Sequence, residues 1–472
     1  MVEAAGRTAG IARVGVAGIG LAAYWPQFAG LKDEIERHLR HVVERIGQWA
    51  TLVEGGLIDT APAGREAGDR FARGDLDLVV IYTGTYATST QVLPIVLRTR
   101  CPVLILNLQP LAALDYEATD TTTWLANCGV CPVPEMAGVF ARAGTAFQVI
   151  TGTLYDDDRA WGEIERWCRA AGVARTIRSA RFGMLGHTYP GMIDMSTDVG
   201  VIHTQLGAHV EILEIDDLKD RVEGATAGEV AEVTERAGRM LAPAHDIAPE
   251  AMNWGARVAV GLERLVSDFD LDGLAYYYRG TGGDRIERIA SAMILGNTLL
   301  TAKGVPAAGE GDLKTAVAMK IMHELGAGGS FSEFCAMDFR ERFFLVGHDG
   351  PAHVAISDGK PTLKELKVFH GKAGGGLSVE MRARTGPVTI LGLTQDAHGR
   401  LKLIAAEGES LPGPVLQIGN SNHRLRFEKD LPEFMDAWCA LGPTHHVALG
   451  LGHRLHEIRT VATLLGVPLE TV

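Results

Sequence analysis

The sequence predicts an α/β protein with two doubly wound parallel-sheet domains (1–150 and 151–330), then a mainly antiparallel, β-barrel-like domain with terminal helices (331–472). Three observations predict it. Apolar strand-like runs alternate with helical patterns through the first 330 residues, as parallel sheets with helices on both faces require. After about residue 335 the texture changes to short strand-like segments between Gly, Asp and Pro turns. The length of 472 residues exceeds what one ordinary core fills.

In order along the chain, Val14–Ala17 reads as a first buried strand that turns at Gly18 and Gly20. The apolar run Val14–Trp25 superficially resembles a signal peptide, but Pro26 and a charged helix follow it. Leu31–Ile46 reads as a helix, Thr51–Val53 and Leu76–Tyr82 as strands, Val92–Leu97 as helical and Cys101–Leu106 as a strand. The second unit repeats the pattern. Phe147–Ile150, Arg181–Leu185, Val210–Ile215 and Leu274–Tyr278 are its strands. Arg159–Ala170, Glu229–Leu241, Pro249–Val266, Arg285–Thr301 and Leu313–Leu325 are its helices, the last with a core-facing stripe at Leu313, Val317, Ile321 and Leu325. The third region offers Lys364–Phe369, Leu377–Arg382, Pro387–Leu393, Leu401–Ala405 and Val415–Ile418 as strands, then helices near Leu431–Leu441 and His453–Leu465.

The bulk properties exclude some classes. A net charge of −13 repels phosphate backbones and anionic lipids, so neither nucleic acid nor a membrane surface is expected as a partner. No apolar run reaches the roughly 18 residues of a spanning helix. Six cysteines are sparse for this length and read as free thiols in a reducing compartment, hence a cytoplasmic protein. Cys128-Gly-Val-Cys131 is a C-x-x-C pair; a zinc site would need two more ligands, and a redox role would need a fold context to support it. Gly15, Gly18 and Gly20 lack the G-x-G-x-x-G spacing of a dinucleotide turn.

The chemistry concentrates in glycine-flanked polar residues. In Gly309-Glu-Gly-Asp-Leu-Lys-Thr-Ala316, Asp312 is the natural N-cap of the next helix and Glu310 projects from a tight turn; the plainer reading is a solvated loop acid. Glu333 follows Gly328-Gly-Ser-Phe-Ser332; its plainer reading is an ion pair with Arg340 or Arg342. Both glutamates are expected in loops at element ends. His348 sits in the glycine turn Gly347–Gly350, and His445 and His446 precede an apolar run. Nine of the 16 histidines lie beyond residue 340, which directs the search for ligands there. Two carboxylates with two imidazoles suit Mn²⁺ or another divalent cation that leaves positions open for substrate oxygens.

The run 309–316, then Ser330–Glu333, Gly347-His348 and His445-His446, resembles the L-arabinose isomerases in order and spacing, with the L-fucose isomerases sharing the broader architecture. The resemblance covers most of the chain, weakly at its start and strongly from about residue 305. It implies an aldose–ketose isomerase acting on a small free sugar, with Glu310, Glu333, His348 and His446 as metal ligands and both glutamates beside the reacting carbons. It also implies three domains and a homo-oligomer, a tetramer or hexamer, with a sugar site at a subunit boundary. His445, Trp25, Asn127 and His187 are the candidate sugar contacts, and Asp194 shares the glycine–proline turn of His187.

The chain departs from the arabinose enzymes at two places. Their Gln-His turn after the first strand is Gly18–Trp25 here, and their Gln-Ser-Ala-His stretch is Ala126–Pro132, without a histidine. L-Arabinose is therefore expected to be a poor substrate. Alternatives are epimerisation or aldol cleavage of a sugar on the same fold, or sugar binding without turnover.

Overall fold

A computed structural model describes residues 10–278, 285–367 and 375–472. Phe369, at the end of one expected strand, and His370 lie outside the described residues. The chain forms two compact units: residues 10–176 with 463–465, and residues 177–462 with 466–472.

The N-terminal unit holds one five-stranded parallel sheet. Its strands are β1 (Arg13–Ile19), β2 (Thr51–Ile58), β3 (Leu78–Thr83), β4 (Val103–Gln109) and β5 (Phe147–Thr153), in the order β2-β1-β3-β4-β5. β3 is buried at every residue, which explains its unbroken Leu-Val-Val-Ile-Tyr run. Helices cover both faces. Ala17, Ile19, Val79, Ile81 and Ile105 pack with Phe71, Val92, Ile95 and Phe140 of three helices. On the other face Leu39, from the helix Leu31–Ile46, fills the place where Gly18 lacks a side chain.

The second unit opens with β6 (Arg181–Gly186), β7 (His209–Leu213), β8 (Ala242–Pro243), β9 (Gly273–Tyr277) and β10 (Ala307–Ala308). Four of them make a parallel sheet in the order β10-β9-β6-β7. There follow β11 (Gly328–Asp338), β12 (Phe343–His348), β13 (Thr362–Lys367), β14 (Gly375–Glu380), β15 (Gly386–Gln395), β16 (Leu401–Ser410), β17 (Ser421–Phe427), β18 (His446–Leu451) and β19 (Leu469–Thr471). β15-β18-β11-β12-β17-β16 are antiparallel, and the pairing of β15 with β16 closes them into a six-stranded barrel. β19 adds to β16 in parallel, and β8, β13 and β14 form a small separate sheet. Phe344, Val346, Ile390, Ile404, Leu425, Val447 and Leu449 belong to one apolar core, where closure removes the exposed edges of an open sheet. The expected mixed architecture of parallel sheets followed by an antiparallel barrel is thus observed.

Several elements differ in detail from the sequence expectation. The helix expected over Arg285–Thr301 is two, Arg285–Ala290 and Met293–Ala302. Val415–Ile418 is not a strand. It follows Pro412-Gly-Pro414, and the Leu416 N–H bonds to the Asn422 side chain rather than to a ladder. The helix Leu313–Glu324 is buried all round from Leu313 to Met322, not along one stripe, because it packs against β11, β15 and β18 of the barrel as well as against β9. Glu333 lies within the eleven-residue strand β11, not in a loop.

Candidate metal centre

The Glu310 turn begins where β10 ends. Gly309–Gly311 form one tight helical turn in which Glu310 takes a left-handed conformation (φ 59°, ψ 11°). That geometry is unfavourable by about 1 kcal/mol for a residue with a Cβ, so the surroundings must hold it. They do so on both sides. The Tyr189 N–H donates to the Glu310 carbonyl at 2.8 Å. Gly311 has φ +73°, and a Cβ there would stand 2.5 Å from the His187 carbonyl oxygen, so only glycine lets the 187–189 segment cross the turn. Asp312 then starts the helix Leu313–Glu324, accepting the Thr315 N–H at 3.0 Å and the Thr315 hydroxyl at 2.7 Å.

Three neighbouring barrel strands supply the rest. In the register of β11, Glu333 faces His446 on β18 and Gly347 on β12, which places His348 one residue along. Gly347 is required by the next strand: a Cβ there would lie 2.0 Å from the Ser421 carbonyl oxygen of β17. Phe331, fully buried, carries both imidazoles on its ring, with centroids 4.5 Å from His348 and 4.3 Å from His446. The two imidazole centroids are 5.1 Å apart.

The ligand-type atoms of Glu310, His348 and His446 all lie within 4.8 Å of one another, as do those of Glu333, His445 and His446. His446 is common to both sets. Its Nδ1 donates to Asp312 Oδ2 at 2.9 Å, which fixes the tautomer and leaves a lone pair on Nε2. That Nε2 is 3.6 Å from Glu310 Oε2, and both atoms are buried with no hydrogen-bond partner among the described residues. Two such lone-pair atoms side by side are costly unless something cationic stands between them. The residues therefore fit a divalent cation held by mixed oxygen and nitrogen donors.

The electrostatics agree. Burial pushes the Glu310 carboxyl up, but His445, His348 and His446 outweigh it and hold it below the ordinary value. Burial likewise raises Asp312, and His446 with Thr315 more than reverses that. Burial lowers His348, yet Asp349, with Nδ1–Oδ1 at 3.1 Å, and the two glutamates leave it raised. His446 is lowered by burial in spite of Asp312. His445 is raised to about 9 by Glu310 and Asp194, which outweigh its partial burial.

Of the residues singled out in the sequence, Glu310, Glu333, His348, His445 and His446 converge here. His187 lies on the segment that crosses the Glu310 turn, with its ring against Tyr277. Trp25 and Asn127 belong to the N-terminal unit. There Trp25 Nε1 donates to Asp59 at 2.8 Å, and Asn127 accepts the Leu111 N–H and donates to the Thr123 carbonyl. Sequence reading missed the second task of Asp312, the floor made by Phe331 and the buried ammonium of Lys314. A lysine one residue past an N-cap, followed by an apolar run, was the available signal for the last.

Comparison with known proteins bears on this arrangement. Residues 347–472 match the family model described as L-fucose isomerase, C-terminal domain. An L-arabinose isomerase of Acidothermus cellulolyticus is 26% identical over 407 residues, covering 84% of this chain and 80% of that protein. One from Nocardioides is 24% identical, covering 79% and 76%, and one from Shigella boydii is 22% identical over the same shares. The last quarter of the chain thus matches the C-terminal domain of one isomerase family, and most of its length is similar to members of the other.

Proposed function

We propose that the protein is an aldose–ketose isomerase for a small free sugar, an intramolecular oxidoreductase that works with Mn²⁺ or another divalent cation. Glu310, Glu333, His348 and His446 are the ligands in this reading. The observation that carries it is the buried pair Glu310 Oε2 and His446 Nε2, 3.6 Å apart and neither hydrogen-bonded among the described residues, in a chain similar over most of its length to L-arabinose isomerases. When bound, the cation supplies Lewis-acid withdrawal of electron density from the substrate oxygens.

The chain's own groups do the rest. One glutamate takes the proton from the carbon beside the carbonyl and returns it to the neighbouring carbon. The other moves a hydroxyl proton between the two oxygens, so the carbonyl shifts by one position with no external oxidant. Asp312 keeps His446 in one tautomer throughout. Phe331 closes the floor and keeps water from the inner side of both imidazoles. General acid–base help of this kind is worth roughly 10²–10⁴-fold.

The same reading extends to a cytoplasmic homo-oligomer, a tetramer or hexamer. The sparse cysteines, six in 472 residues, support the reducing compartment. It also holds that L-arabinose is a poorer substrate than another pentose, hexose or deoxy-sugar, because the two N-terminal turns differ from those of the arabinose enzymes.

The test is a panel of free aldoses and ketoses, assayed with chelator-treated protein before and after Mn²⁺ addition. We expect turnover only with the cation, and faster turnover on another sugar than on L-arabinose. Glu310→Gln and Glu333→Gln should each lose at least roughly 10²-fold in kcat at saturating Mn²⁺ while staying folded. Normal turnover by both variants would place the chemistry elsewhere in the chain. L-Arabinose as the best substrate of a broad panel would remove the specificity argument alone.

A further inference from the structure

We propose that Asp194 is a positioning residue for His445, holding its imidazole so that Nε2 faces the substrate oxygens in front of Glu310; this rests on the isomerase reading above. Asp194 grips His445 twice through one oxygen. Oδ2 accepts the His445 backbone N–H at 3.0 Å and the ring Nδ1–H at 2.7 Å. The first contact fixes the residue and the second fixes the ring rotation. Nε2 is then directed toward Glu310 Oε2, 3.9 Å away and beyond a direct hydrogen bond.

An exposed Asp–His contact is ordinarily worth little, because two mobile side chains must be ordered to make it. Here the aspartate is held in place beforehand. Lys314 is 1% exposed, and its ammonium spends all three donors on the segment that carries Asp194. It bonds the Asp194 carbonyl at 2.9 Å, the Ser196 carbonyl at 3.0 Å and the Thr197 hydroxyl at 3.1 Å. The upstream end of the same segment is tied to the Glu310 turn by the Tyr189 N–H. One short stretch therefore bridges the Glu310 turn, the first turn of the helix Leu313–Glu324 and the start of β18. A burial of charge this deep is hard to explain by stability alone, since an apolar side chain would avoid the desolvation cost.

In this arrangement the His445 Nε2–H donates a hydrogen bond to one substrate oxygen and orients it for the hydroxyl-proton transfer carried out by the second glutamate. His445 itself makes and breaks no covalent bond.

The test compares Asp194→Ala and Asp194→Asn with the wild type, all loaded with Mn²⁺. Asp194 is partly exposed, so both variants should keep the wild-type thermal midpoint. We expect Asp194→Ala to lose roughly 10–100-fold in kcat, with KM and calorimetric Mn²⁺ affinity little changed. Asp194→Asn keeps an acceptor oxygen and should recover most of the loss. His445→Gln combined with Asp194→Ala should be no worse than His445→Gln alone, because both act through one imidazole. ¹⁵N-resolved spectra of the His445 ring supply a readout that needs no turnover: an Nδ1–H signal in the wild type, lost in Asp194→Ala. Unchanged kcat in Asp194→Ala, additive losses in the double variant, or an unchanged ring signal would each overturn the proposal. A wild type inactive on every sugar tested would sink the isomerase reading instead, and the ring spectra would still decide whether Asp194 orients His445.

Discussion

At the scale of single residues, Asp312 shows how one side chain serves two structures. The sequence Gly311-Asp-Leu-Lys-Thr315 makes its N-cap role legible, because a short acceptor before an apolar helix has few other uses. Its bond to His446 was not legible, since the partner lies 134 residues away and only the folded barrel brings it near. The two roles can be separated by Asp312→Asn. An amide offers one oxygen where the carboxylate offers two, so it can cap Thr315 or accept from His446 Nδ1, not both. Capping leaves an NH₂ group against Nδ1 and drives the imidazole to the other tautomer, which blocks Nε2. We expect Mn²⁺ affinity to fall roughly 10–100-fold by titration calorimetry. Asp312→Ala loses the cap as well and should melt lower than Asp312→Asn, by about 1 kcal/mol of stability. Wild-type Mn²⁺ affinity in Asp312→Asn would mean that His446 does not need its aspartate.

At the scale of elements, the strands that carry the ligands were the hardest part to read. Gly328-Gly-Ser-Phe-Ser332 looks like a loop by composition, because glycine and serine pack poorly on a pleated surface. In the molecule they form the start of β11, pinned between β12 and β18, and pairing overrides local preference. The parallel strands of the N-terminal unit were legible for the opposite reason: burial on both faces demands continuous apolar runs, and those stand out. The requirement at Gly347 left no sequence signal beyond the glycine itself. Since a Cβ at this position would meet β17 backbone at 2.0 Å, Gly347→Ala must push β12 and β17 apart. Overpacking of this kind costs about 1–3 kcal/mol. Because His348 is the next residue, the displacement should also weaken Mn²⁺ binding. Urea midpoints with and without Mn²⁺ check both effects, and the added cation should protect the variant less than the wild type. Equal protection would mean that His348 holds its place independently of β12.

At the scale of the whole molecule, both units bury neutral histidines that resist protonation. Burial lowers His38 to about 4 in the N-terminal unit, with Arg37 and His41 adding to it. In the second unit burial lowers His423 to about 4, and burial together with His323 lowers His353 to about 3. His423 Nδ1 accepts the Ala383 N–H at 2.8 Å, and His353 Nδ1 accepts the Ala355 N–H, so protonating either ring at Nδ1 breaks a backbone bond. The sign follows from where the proton goes. Above pH 6.5 the histidine is neutral in both folded and unfolded chains and pH has no leverage. Below 6.5 the unfolded chain takes a proton that the folded one refuses, so stability falls until the folded pKa is reached. For His423 the window runs from about 6.5 down to about 4, and the full loss is roughly 3 kcal/mol. Half-buried carboxylates held low by hydrogen bonds, Glu229 and Asp396 at about 2, act only at lower pH, below their ordinary values near 4. The two windows can therefore be told apart. Urea unfolding of chelator-treated protein, which keeps metal release out of the balance, should show stability declining steadily from pH 6.5 to 4.5. His423→Asn keeps an acceptor near Nδ1 but cannot titrate. It should start less stable at pH 7 because of the smaller side chain, yet decline less steeply, by as much as about 1.4 kcal/mol per pH unit. A variant whose stability falls in parallel with the wild type across that window would show that His423 is not one of the groups that open the molecule in acid.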